Sequence, residues 1–467
     1  MAAADRFAPD LLVRLERDGR PLRLQLEEQL REAIRAGRLR PGTALPSTRA
    51  LAADLGVSRG VVVEAYAQLV AEGWLVAGQG ARTRVAAAAR QAEPRATPAP
   101  TGPRVRIDFR PGLTDLAAFP RREWLASLRR VLREAPDAAL GWQDPRGERA
   151  LRETLAAYLG RSRGALADPE RIVVATGMTQ ALVLVAGALR RRGARRIAVE
   201  DPGFHIHRDA LAHAGLEPVA VPVGEGGIDT HRLAAAAPDA VLVTPAHQQP
   251  TGVVLAPERR AALLRWAEET GALVIEDDYD AEHRYDREPV GALQGLAPER
   301  VAYLGSPSKT LAPSLRLGWA VLPSALAGPV GEEKLRADLG SPVLDQLALA
   351  DFIERGELDR HLRRTRRSYR RRRDALVGAL ARLLPAARVT GIAAGLHALV
   401  LLPEGTDEAA LVERALERGI ALAPLAPMRV AAPGPPGVLI GYANVAETAI
   451  ERGVAELAAI AAELGSA

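Results

Sequence analysis

The segment ALVIEDD, residues 272–278, is a short apolar run that ends in three acidic residues. Helical stretches separate it from runs of the same kind, which are RIVVATG (171–177), IAVED (197–201), PVAVPV (218–223), AVLVTP (240–245) and VAYLGS (301–306). Short β-rich runs that alternate with helices predict an α/β fold with a doubly wound, mainly parallel sheet. From about Ser341 this alternation weakens. A long helix near 358–384, a few strands and a helix at 446–463 predict a small C-terminal α+β domain.

The first 85 residues have a different pattern, in which three helices precede a hairpin. Apolar residues at helical spacing predict the helices, with stripes from Leu22, Leu26, Leu30 and Ile34, from Leu51 and Leu55, and from Val62, Tyr66 and Leu69. Ser47 and Ser58 stand where the N-caps of the second and third helices are expected. WLVAGQGARTRVA (74–86) then predicts two strands around a Gly-Gln-Gly turn. This order is that of a winged helix-turn-helix, with the hairpin as its wing.

An Ala- and Pro-rich stretch without apolar periodicity, AAAARQAEPRATPAPTGPRV (86–105), follows the hairpin. Such a composition is typical of a semi-extended linker. We therefore expect a winged helix-turn-helix domain at 1–85, a linker at 86–107 and a large domain at 108–467.

Composition excludes several classes of protein. Of the 467 residues, 25% are charged and 48% are hydrophobic, as in ordinary globular proteins. The chain has no cysteine, which excludes disulfides, thiolate catalysis and cysteine-ligated metal sites. No apolar run approaches the ~18–20 residues of a membrane span, and we find no signal peptide. We expect a cytoplasmic protein without a membrane partner, and its net charge of +5 permits binding to a polyanion.

Lysine is rare in this chain. Of the 62 basic residues, two are lysines, Lys309 and Lys334. Arginine cannot form a Schiff base or act as a tunable base near neutral pH. Lysine chemistry is therefore expected at one of these two positions. For Lys334, within the helical segment GEEKLRADL (331–339), the sequence indicates only a solvated charge.

Polar and cationic residues make the N-terminal unit a candidate DNA-binding domain. A helix in the major groove needs short polar or cationic side chains at its N-terminus, where they reach base edges and phosphates. Ser58 and Arg59 occupy this position on the third helix. Arg49 on the second helix, with Arg82 and Arg84 in the wing, would add contacts to the DNA backbone. The pattern alone leaves open an interaction module whose arginines are merely solvated.

The residues of this unit carry a closer indication. The segment PLRLQLEEQLREAIRAGRLRPGTALPSTRALAADLGVSRGVVVEAYAQLVAEGWL (21–75) resembles the DNA-binding domain of the GntR family of bacterial regulators. One departure is Val61, where the family usually has a threonine near the DNA. The resemblance implies that a double-stranded DNA operator is contacted by Ser47, Arg49, Ser58, Arg59 and the wing at Gly80.

Three segments of the large domain suggest one binding site. They are VVATGMTQAL (173–182), IEDDYDAE (275–282) and GSPSKTLAPSLRLGW (305–319), and all three lie at the carboxyl ends of predicted strands, where open α/β sheets bind ligands. A helix N-terminus after Gly177 offers N–H groups to a phosphate. Hydroxyls and an arginine flank Lys309, and a strand-end carboxylate could keep a ring nitrogen protonated. This set suits pyridoxal 5′-phosphate (PLP) held by Lys309, although strand-end acids also cap helices or bind Mg²⁺.

The motifs of this region carry a second resemblance, which covers most of the chain. Residues 108–463 resemble a fold-type I, PLP-dependent aminotransferase, and the whole chain resembles the MocR subfamily of GntR-type regulators. The matching motifs are DPRG (144–147), EDPGF (200–204), TPAHQQPTG (244–252), EDDYDAEHRYD (276–286) and SPSKTLAPSLRLGW (306–319).

The resemblance implies a role for each site residue. Lys309 would carry the internal aldimine, Asp277 would pair with the pyridine nitrogen, Tyr279 would bond the ring hydroxyl and Phe204 would stack on the ring. His247 or Gln248 would stand where aminotransferases place an asparagine beside that hydroxyl. The phosphate would be held by Ser306, Ser308, Arg316 and the backbone of Gly177, Met178 and Thr179.

Departures from the aminotransferase pattern bear on activity. Trp142 replaces a tyrosine that commonly precedes DPRG and reaches the partner subunit's phosphate. In GVLIGYANV (437–445), Leu439 stands where aminotransferases need an arginine for the substrate α-carboxylate. Arg429 on the preceding loop is a candidate substitute. A site without a bidentate partner for the carboxylate loses orientation and affinity for amino acids, so we expect weak or absent transamination.

The sequence therefore predicts a PLP-dependent, DNA-binding transcriptional regulator. Its aminotransferase-like domain would sense PLP or an amino compound through Lys309, and the resemblance implies a head-to-tail, domain-swapped homodimer. Two alternatives stay open, namely a competent aminotransferase with a DNA-binding head and a regulator whose large domain is a scaffold without cofactor.

Two further features are assigned to the surface. The segment HLRRTRRSYRRRRD (361–374) contains eight arginines, for which a solvated helix face is favoured over nucleic-acid contact. His205, His207 and His213 have the spacing of metal ligands but lack acidic neighbours, so a surface helix explains them better. No metal site is expected.

Overall fold

The computed structural model describes residues 11, 13–16, 18–77, 82–87, 104–280, 282–285, 290–391, 394–431 and 433–465. The chain forms two compact units, Met1–Thr101 and Gly102–Ala467. The linker predicted at 86–107 stays a prediction, because most of it lies outside the described residues.

The N-terminal unit has the predicted order of elements. Its helices and strands are α1 (Leu22–Arg35), α2 (Thr48–Leu55), α3 (Arg59–Ala71), β1 (Leu75–Val76) and β2 (Arg84–Val85). The two strands pair antiparallel. Leu26, Leu30 and Ile34 of α1 pack with Val62 and Leu69 of α3 in one buried cluster, as the spacing of apolar residues predicted. The unit is a winged helix-turn-helix.

The two expected helix caps differ in the structure. The Ser47 hydroxyl accepts a hydrogen bond from the Ala50 N–H at 3.2 Å and caps α2. Ser58 occupies the N-cap position of α3, but its side chain makes no capping hydrogen bond. The sequence could place both serines before a helix, whereas the hydroxyl direction depends on the local side-chain torsion.

The large unit alternates helices and strands over most of its length. Its elements are β3 (Ile107–Asp108), α4 (Arg121–Glu134), α5 (Arg149–Arg163), β4 (Ile172–Ala175), α6 (Met178–Arg191), β5 (Arg196–Asp201), α7 (His205–His213), β6 (Glu217–Gly224), β7 (Gly227–Ile228), α8 (Thr230–Ala236), β8 (Ala240–Val243), α9 (Pro257–Thr270), β9 (Leu273–Asp278), β10 (Val301–Gly305), β11 (Gly318–Val321), α10 (Ser324–Asp338), α11 (Val343–Glu354), α12 (Glu357–Leu383), β12 (Arg388–Thr390), β13 (His397–Leu401), α13 (Glu408–Glu417), β14 (Ile420–Ala421), β15 (Ala423–Pro424), β16 (Gly437–Gly441) and α14 (Glu447–Glu463).

The central sheet has the strand order β4-β11-β10-β9-β8-β5-β6-β7. Neighbours from β10 to β6 are parallel, while β11 runs antiparallel to both β10 and β4. All six strands predicted from apolar runs are in this sheet. Successive residues of β9 face opposite sides, since Ile275 packs toward α6 and α10 and Val274 packs toward α8 and α9. Helices therefore cover both faces, and the sheet is doubly wound.

The small subdomain is built on a four-stranded antiparallel sheet of order β12-β13-β16-β15. It begins later than Ser341, because Leu349 and Phe352 of α11 pack in the cluster that covers the central sheet. The long helix α12 joins the two subdomains. Its first turns pack in that cluster through Leu358, whereas Leu376 near its end is buried among residues of the small sheet.

Three arginines of α12 bond residues that lie outside this helix. Arg366 donates to the Glu282 carbonyl at 2.8 Å, Arg371 pairs with Glu447 at 3.0 Å, and Arg372 pairs with Asp115 at 2.7 Å. The expected solvated face holds for Arg371, which is exposed, and is wrong for Arg366 and Arg372, which are partly buried. Sequence cannot separate a solvated arginine from one that bonds a residue distant in the chain.

Among the described residues, no helix combines the length and the apolar character that crossing a bilayer requires.

Candidate cofactor site and DNA-binding surface

Lys309 lies in the turn that follows β10. Its ammonium donates to the Gly112 carbonyl at 2.8 Å. Gly112 has a φ of 93°, and a Cβ there would lie 2.7 Å from Lys309 Nζ, so glycine is required for this close approach. Burial lowers the pKa of Lys309, and nearby Asp280 and Asp277 oppose that shift. The lowered pKa favours the neutral, nucleophilic amine.

Two buried histidines hold the backbone of this turn. His283 donates from Nε2 to the Lys309 carbonyl and His361 donates from Nε2 to the Thr310 carbonyl, both at 2.9 Å. Burial lowers the pKa of each imidazole to about 4, so both are neutral at physiological pH and keep a single ring proton for these bonds. His361 belongs to the long helix α12, so its hydrogen bond links this helix to the turn that carries Lys309.

Asp277, near the end of β9, carries an unpartnered acceptor. Its Oδ1 is buried without a hydrogen-bond partner among the described residues, while Oδ2 lies 3.3 Å from His207 Nδ1. A buried carboxylate oxygen without a donor is costly. Asp277 is therefore suited to accept an N–H from a bound molecule.

Tyr279, His247 and Asp280 form a hydrogen-bonded group beside Asp277. His247 Nδ1 lies 2.9 Å from the Tyr279 hydroxyl and 2.9 Å from Asp280 Oδ2. Burial acts to lower the pKa of His247, but the charge of Asp280 and its hydrogen bond outweigh it and raise that pKa. Burial raises the pKa of the Tyr279 phenol well above its usual value. Tyr279 therefore keeps its proton and can donate it.

The N-terminus of α6 forms the opposite end of the site. The helix begins at Met178 after Gly177, whose φ of 100° favours glycine. Arg316 donates from Nη2 to the Thr176 carbonyl at 2.6 Å, and Ser306 Oγ and Ser308 Oγ are 2.7 Å apart. A helix N-terminus with a guanidinium and two hydroxyls is a set of donors suited to a phosphate or another anion.

These groups surround one cavity of about 220 Å³. Nine of the twelve residues predicted for the cofactor line it, which are Met178, Thr179, Phe204, Asp277, Tyr279, Ser306, Ser308, Lys309 and Arg316. Gly177 lies behind the wall, where a Cβ would come within 2.9 Å of Arg316 Nη2. His247 also lies behind the wall and reaches the cavity through Tyr279.

Gln248 lies away from the cavity, and Gln249 lines it instead. The Gln248 amide donates to the Pro202 carbonyl at 2.9 Å, and its oxygen accepts from the Thr251 hydroxyl at 2.6 Å. Its hydrogen-bonding groups thus stabilise the surrounding loops. The backbone direction decides which of two adjacent glutamines faces the ligand, and the sequence QQ carries no signal for it.

Sequence reasoning also missed three cavity residues with polar side chains. His207 contacts Asp277 and packs edge-on against Phe204, with ring centroids 4.9 Å apart, so its assignment to a surface helix is wrong. Asp280 and His397 also line the cavity. Burial lowers the pKa of His397 to about 3, which keeps it neutral. His397 comes from the small subdomain, about 120 residues after β9, and no local pattern connects it to the site.

The position of the missing arginine is occupied by a hydrophobic contact. Leu439 in β16 is fully buried and packs with Leu399 and Met428 beside the partly buried Phe204. Arg429 donates to the carbonyls of Gly434 at 2.8 Å and Pro435 at 2.7 Å, so its guanidinium is engaged within its own loop.

The residues predicted to contact DNA lie on the surface of the N-terminal unit. Ser47, Arg49, Ser58, Arg59 and Arg82 are exposed. Arg59 stands at the start of α3 with Nε 3.4 Å from the Thr48 hydroxyl at the start of α2. Gly80, at the predicted tip of the wing, lies outside the described residues. The exposed basic start of α3 fits the recognition helix of a helix-turn-helix.

Both units match known families. The profile of the family described as bacterial regulatory proteins, gntR family, matches residues 22–85, and that of aminotransferase class I and II matches residues 115–457.

Full-length relatives combine the same two parts. The chain is 34% identical over 469 residues to the probable rhizopine catabolism regulatory protein MocR of Rhizobium meliloti, in a match that covers 95% of this chain and 94% of that protein. It is 34% identical over 445 residues to the pyridoxine biosynthesis transcriptional regulator PdxR of Corynebacterium glutamicum, with coverage of 93% and 94%.

The large unit also resembles solved aminotransferases. LysN, the alpha-aminoadipate aminotransferase of Thermus thermophilus, superposes with a TM-score of 0.70 at 30% identity, over 77% of this chain and 92% of LysN. That structure contains N-(5′-phosphopyridoxyl)-L-leucine.

The fold, the exposed basic surface and these similarities define a DNA-binding transcriptional regulator with an aminotransferase-like domain. The chain belongs to the MocR subfamily of GntR-type regulators.

Proposed function

We propose that the large unit binds PLP at Lys309 and that this binding changes the affinity of the N-terminal unit for its operator. The observation that carries the proposal is the unpartnered, buried Oδ1 of Asp277, which lies in a cavity that also holds a buried lysine and a cluster of anion donors. This combination fits three of the functional groups of PLP, which are its basic ring nitrogen, its carbonyl and its phosphate.

Different residues of the cavity would hold the different groups of PLP. Asp277 Oδ1 would accept the ring N–H, and Tyr279 would donate to the ring hydroxyl. Arg316, the two serine hydroxyls and the N–H groups at the start of α6 would bind the phosphate, and Phe204 would pack on the ring. When bound, PLP supplies a carbonyl that condenses with amines and a ring that stabilises negative charge. Gln249 and His397 are the further polar groups available to orient a ligand.

The site favours sensing over amino-acid turnover. Among the described residues that line the cavity, Arg316 is the one arginine, and its Nη2 already bonds the Thr176 carbonyl at the anion end. Leu439 is apolar and buried, and Arg429 is engaged in its own loop, so neither residue supplies a bidentate partner for an α-carboxylate. We therefore propose PLP itself as the effector, ahead of an amino acid. The similarity to PdxR, named as a regulator of pyridoxine biosynthesis, supports this choice.

We also propose that the regulator acts as a homodimer, with each DNA-binding unit lying on the partner's large unit. Exposed apolar side chains support an association surface, since Trp142 is 85% exposed, Leu140 67% and Leu132 63%. Sedimentation of the full-length protein should give the mass of two chains, and a monomer at micromolar concentration would contradict this part of the proposal.

Absorption and peptide mapping test the PLP site directly. The purified protein with PLP should show a visible absorption band that Lys309→Ala abolishes. Borohydride reduction should fix the cofactor on the peptide that contains Lys309 and leave the Lys334 peptide unlabelled. A colourless protein, or label on Lys334, would refute the site.

Titration of operator binding tests the regulatory role. PLP should shift the operator affinity of the wild-type protein and leave that of Lys309→Ala unchanged. A shift produced by amino compounds together with PLP, and not by PLP alone, would identify an amino compound as the effector. Sustained conversion of an amino acid and a keto acid would instead support the aminotransferase.

A further inference from the structure

Lys334 is fully buried, although its helical sequence indicates a solvated charge. Its side chain is 0% exposed, and its ammonium donates to Gln180 Oε1 at 3.0 Å and to Asp338 Oδ2 at 2.7 Å. Burial lowers the pKa of Lys334, and the hydrogen bond to Asp338 opposes that shift. A buried cation is costly unless good partners compensate it. The partners of Lys334 therefore indicate what it does.

The orientation of the Gln180 side chain follows from its neighbours. Its Oε1 faces two donors, the Lys334 ammonium and the Thr176 N–H, which lies 2.7 Å away. Its Nε2 donates to Asp338 Oδ2 at 2.7 Å. A flipped amide would place its NH₂ against both donors, so one orientation alone satisfies the network. Lys334, Gln180 and Asp338 thus form a closed set of hydrogen bonds.

This set ends at the turn that begins α6. Gln180 accepts from the Thr176 N–H, while Arg316 donates to the carbonyl of the same residue at 2.6 Å. Both backbone groups of Thr176, its N–H and its carbonyl, are therefore hydrogen-bonded. Thr176 directly precedes Gly177 and the first helical residues, Met178 and Thr179. The direction of the N–H groups at the helix start depends on this turn.

We propose that Lys334 is a positioning residue that orients Gln180 and thereby holds the Thr176–Met178 turn in the geometry that binds the phosphoryl group of the cofactor. The inference rests on the proposed PLP site. Lys334 lies on α10, which packs against α6 through Leu326 and Val330, so the contact joins two neighbouring helices.

The choice of lysine fits this role. A lysine ammonium is a compact charge that can donate in several directions, whereas arginine presents a planar fork. Lys334 donates to an amide oxygen and a carboxylate oxygen on separate side chains. In a chain with 62 basic residues, two of them lysine, both lysines therefore serve the same cavity, one at its wall and one behind its anion end.

Comparing PLP with pyridoxal, which lacks the phosphate, isolates the effect of the turn. Full-length protein freed of cofactor is titrated with each compound, and binding is followed by absorption. In Lys334→Met, which keeps the aliphatic stem, PLP affinity should fall roughly tenfold, as for the loss of one hydrogen bond to a charged group. Pyridoxal affinity should stay at the wild-type value, because Lys309, Asp277 and Tyr279 are untouched.

Two further variants complete the test. Arg336→Met removes a cation from the same helix, where Arg336 pairs with Glu332 at 3.1 Å and Glu333 at 3.5 Å, and it should bind both compounds like the wild type. Gln180→Leu should lose PLP affinity selectively while Lys334 and Asp338 still pair, and it decides the question if Lys334→Met does not fold.

The outcomes separate this inference from the proposed function. Equal losses for PLP and pyridoxal, or no loss of either, overturn the positioning role of Lys334. A wild-type protein that binds pyridoxal as well as PLP refutes the phosphate site itself and this inference with it. A wild type that prefers PLP, with a variant that has lost the preference, supports both.

Discussion

Glu200 at the carboxyl end of β5 is buried behind the cavity and bonded through one oxygen. Its Oε2 accepts from the Thr244 hydroxyl at 2.6 Å, the Thr244 N–H at 3.1 Å and Gln248 Nε2 at 3.2 Å. Burial raises the pKa of Glu200 to about 7 despite these donors. The pKa of this carboxyl group therefore lies near physiological pH. Glu200 precedes Phe204, a residue that lines the cavity, by four positions.

The raised pKa predicts a pH-dependent stability. Between pH ~4.5 and ~7 the folded chain holds a proton on Glu200 that the unfolded chain has released, so rising pH favours unfolding in this window. Glu200→Gln keeps an acceptor oxygen and removes the ionisation. We expect the wild-type large unit to lose roughly 2–3 kcal/mol relative to Glu200→Gln between pH 5 and pH 8.

Urea unfolding at both pH values measures this difference. Glu268→Gln is a suitable control, because Glu268 is exposed and its hydrogen bond to Arg300 lowers its pKa below the window. Parallel pH profiles for the wild type and Glu200→Gln would show that Glu200 does not titrate as expected.

Two helices of the large unit contribute directly to the site, one through its first turn and one through a side chain. The helix α6 begins at the anion end of the cavity, and α12 reaches the lysine turn through His361. In the N-terminal unit, α2 and α3 start with Ser47 and Ser58, of which Ser47 alone makes a capping hydrogen bond. The two serines therefore offer a matched comparison between a residue that stabilises its helix and one that does not.

Ser47→Ala should destabilise α2 by about 1 kcal/mol, the usual cost of losing an N-cap. Hydrogen exchange of the α2 amides in the full-length protein measures this as about fivefold faster exchange. Ser58→Ala should leave the exchange of α3 close to that of the wild type. Equal acceleration in both helices would contradict the difference in capping.

The proposed function requires that the two compact units of the chain respond to each other. Reciprocity then applies: if PLP changes operator affinity by some factor, the operator must change PLP affinity by the same factor. The structure of each unit supplies one of the two sites, an exposed basic helix start and a lysine-bearing cavity.

Arg59→Ala should weaken operator binding and lower the salt dependence of that binding by about one unit of slope, as for the loss of one phosphate contact. The visible absorption band of the PLP-loaded protein should be unchanged. Arg20→Ala serves as the control, because Arg20 pairs with Asp18 at 3.0 Å before α1. If gel shifts show the same affinity for Arg59→Ala as for the wild type, the assignment of α3 as the recognition helix is wrong.

Much of the architecture could be predicted from local patterns. Apolar runs and helical spacing placed all six predicted strands and the three N-terminal helices. A strand covered on both faces is a continuous apolar run, and a helix buried along one face repeats its apolar residues about every 3.6 positions. The motifs around Lys309, Asp277 and Gly177 indicated one site, because the carboxyl ends of parallel strands meet at the same edge. Strand β11 was not predicted, since its apolar residues follow directly on the lysine motif.

Local patterns in the sequence therefore predicted the class of fold, the winged helix-turn-helix and the lysine that lines the cavity. Three features became visible in the folded chain alone: Gln249 rather than Gln248 lines the cavity, His207 contacts Asp277, and Lys334 is buried behind α6. The difference lies in how far apart along the sequence the interacting residues are. Periodicity and capping act within a few residues, whereas these contacts depend on backbone direction and on helices brought together from segments as much as 154 residues apart.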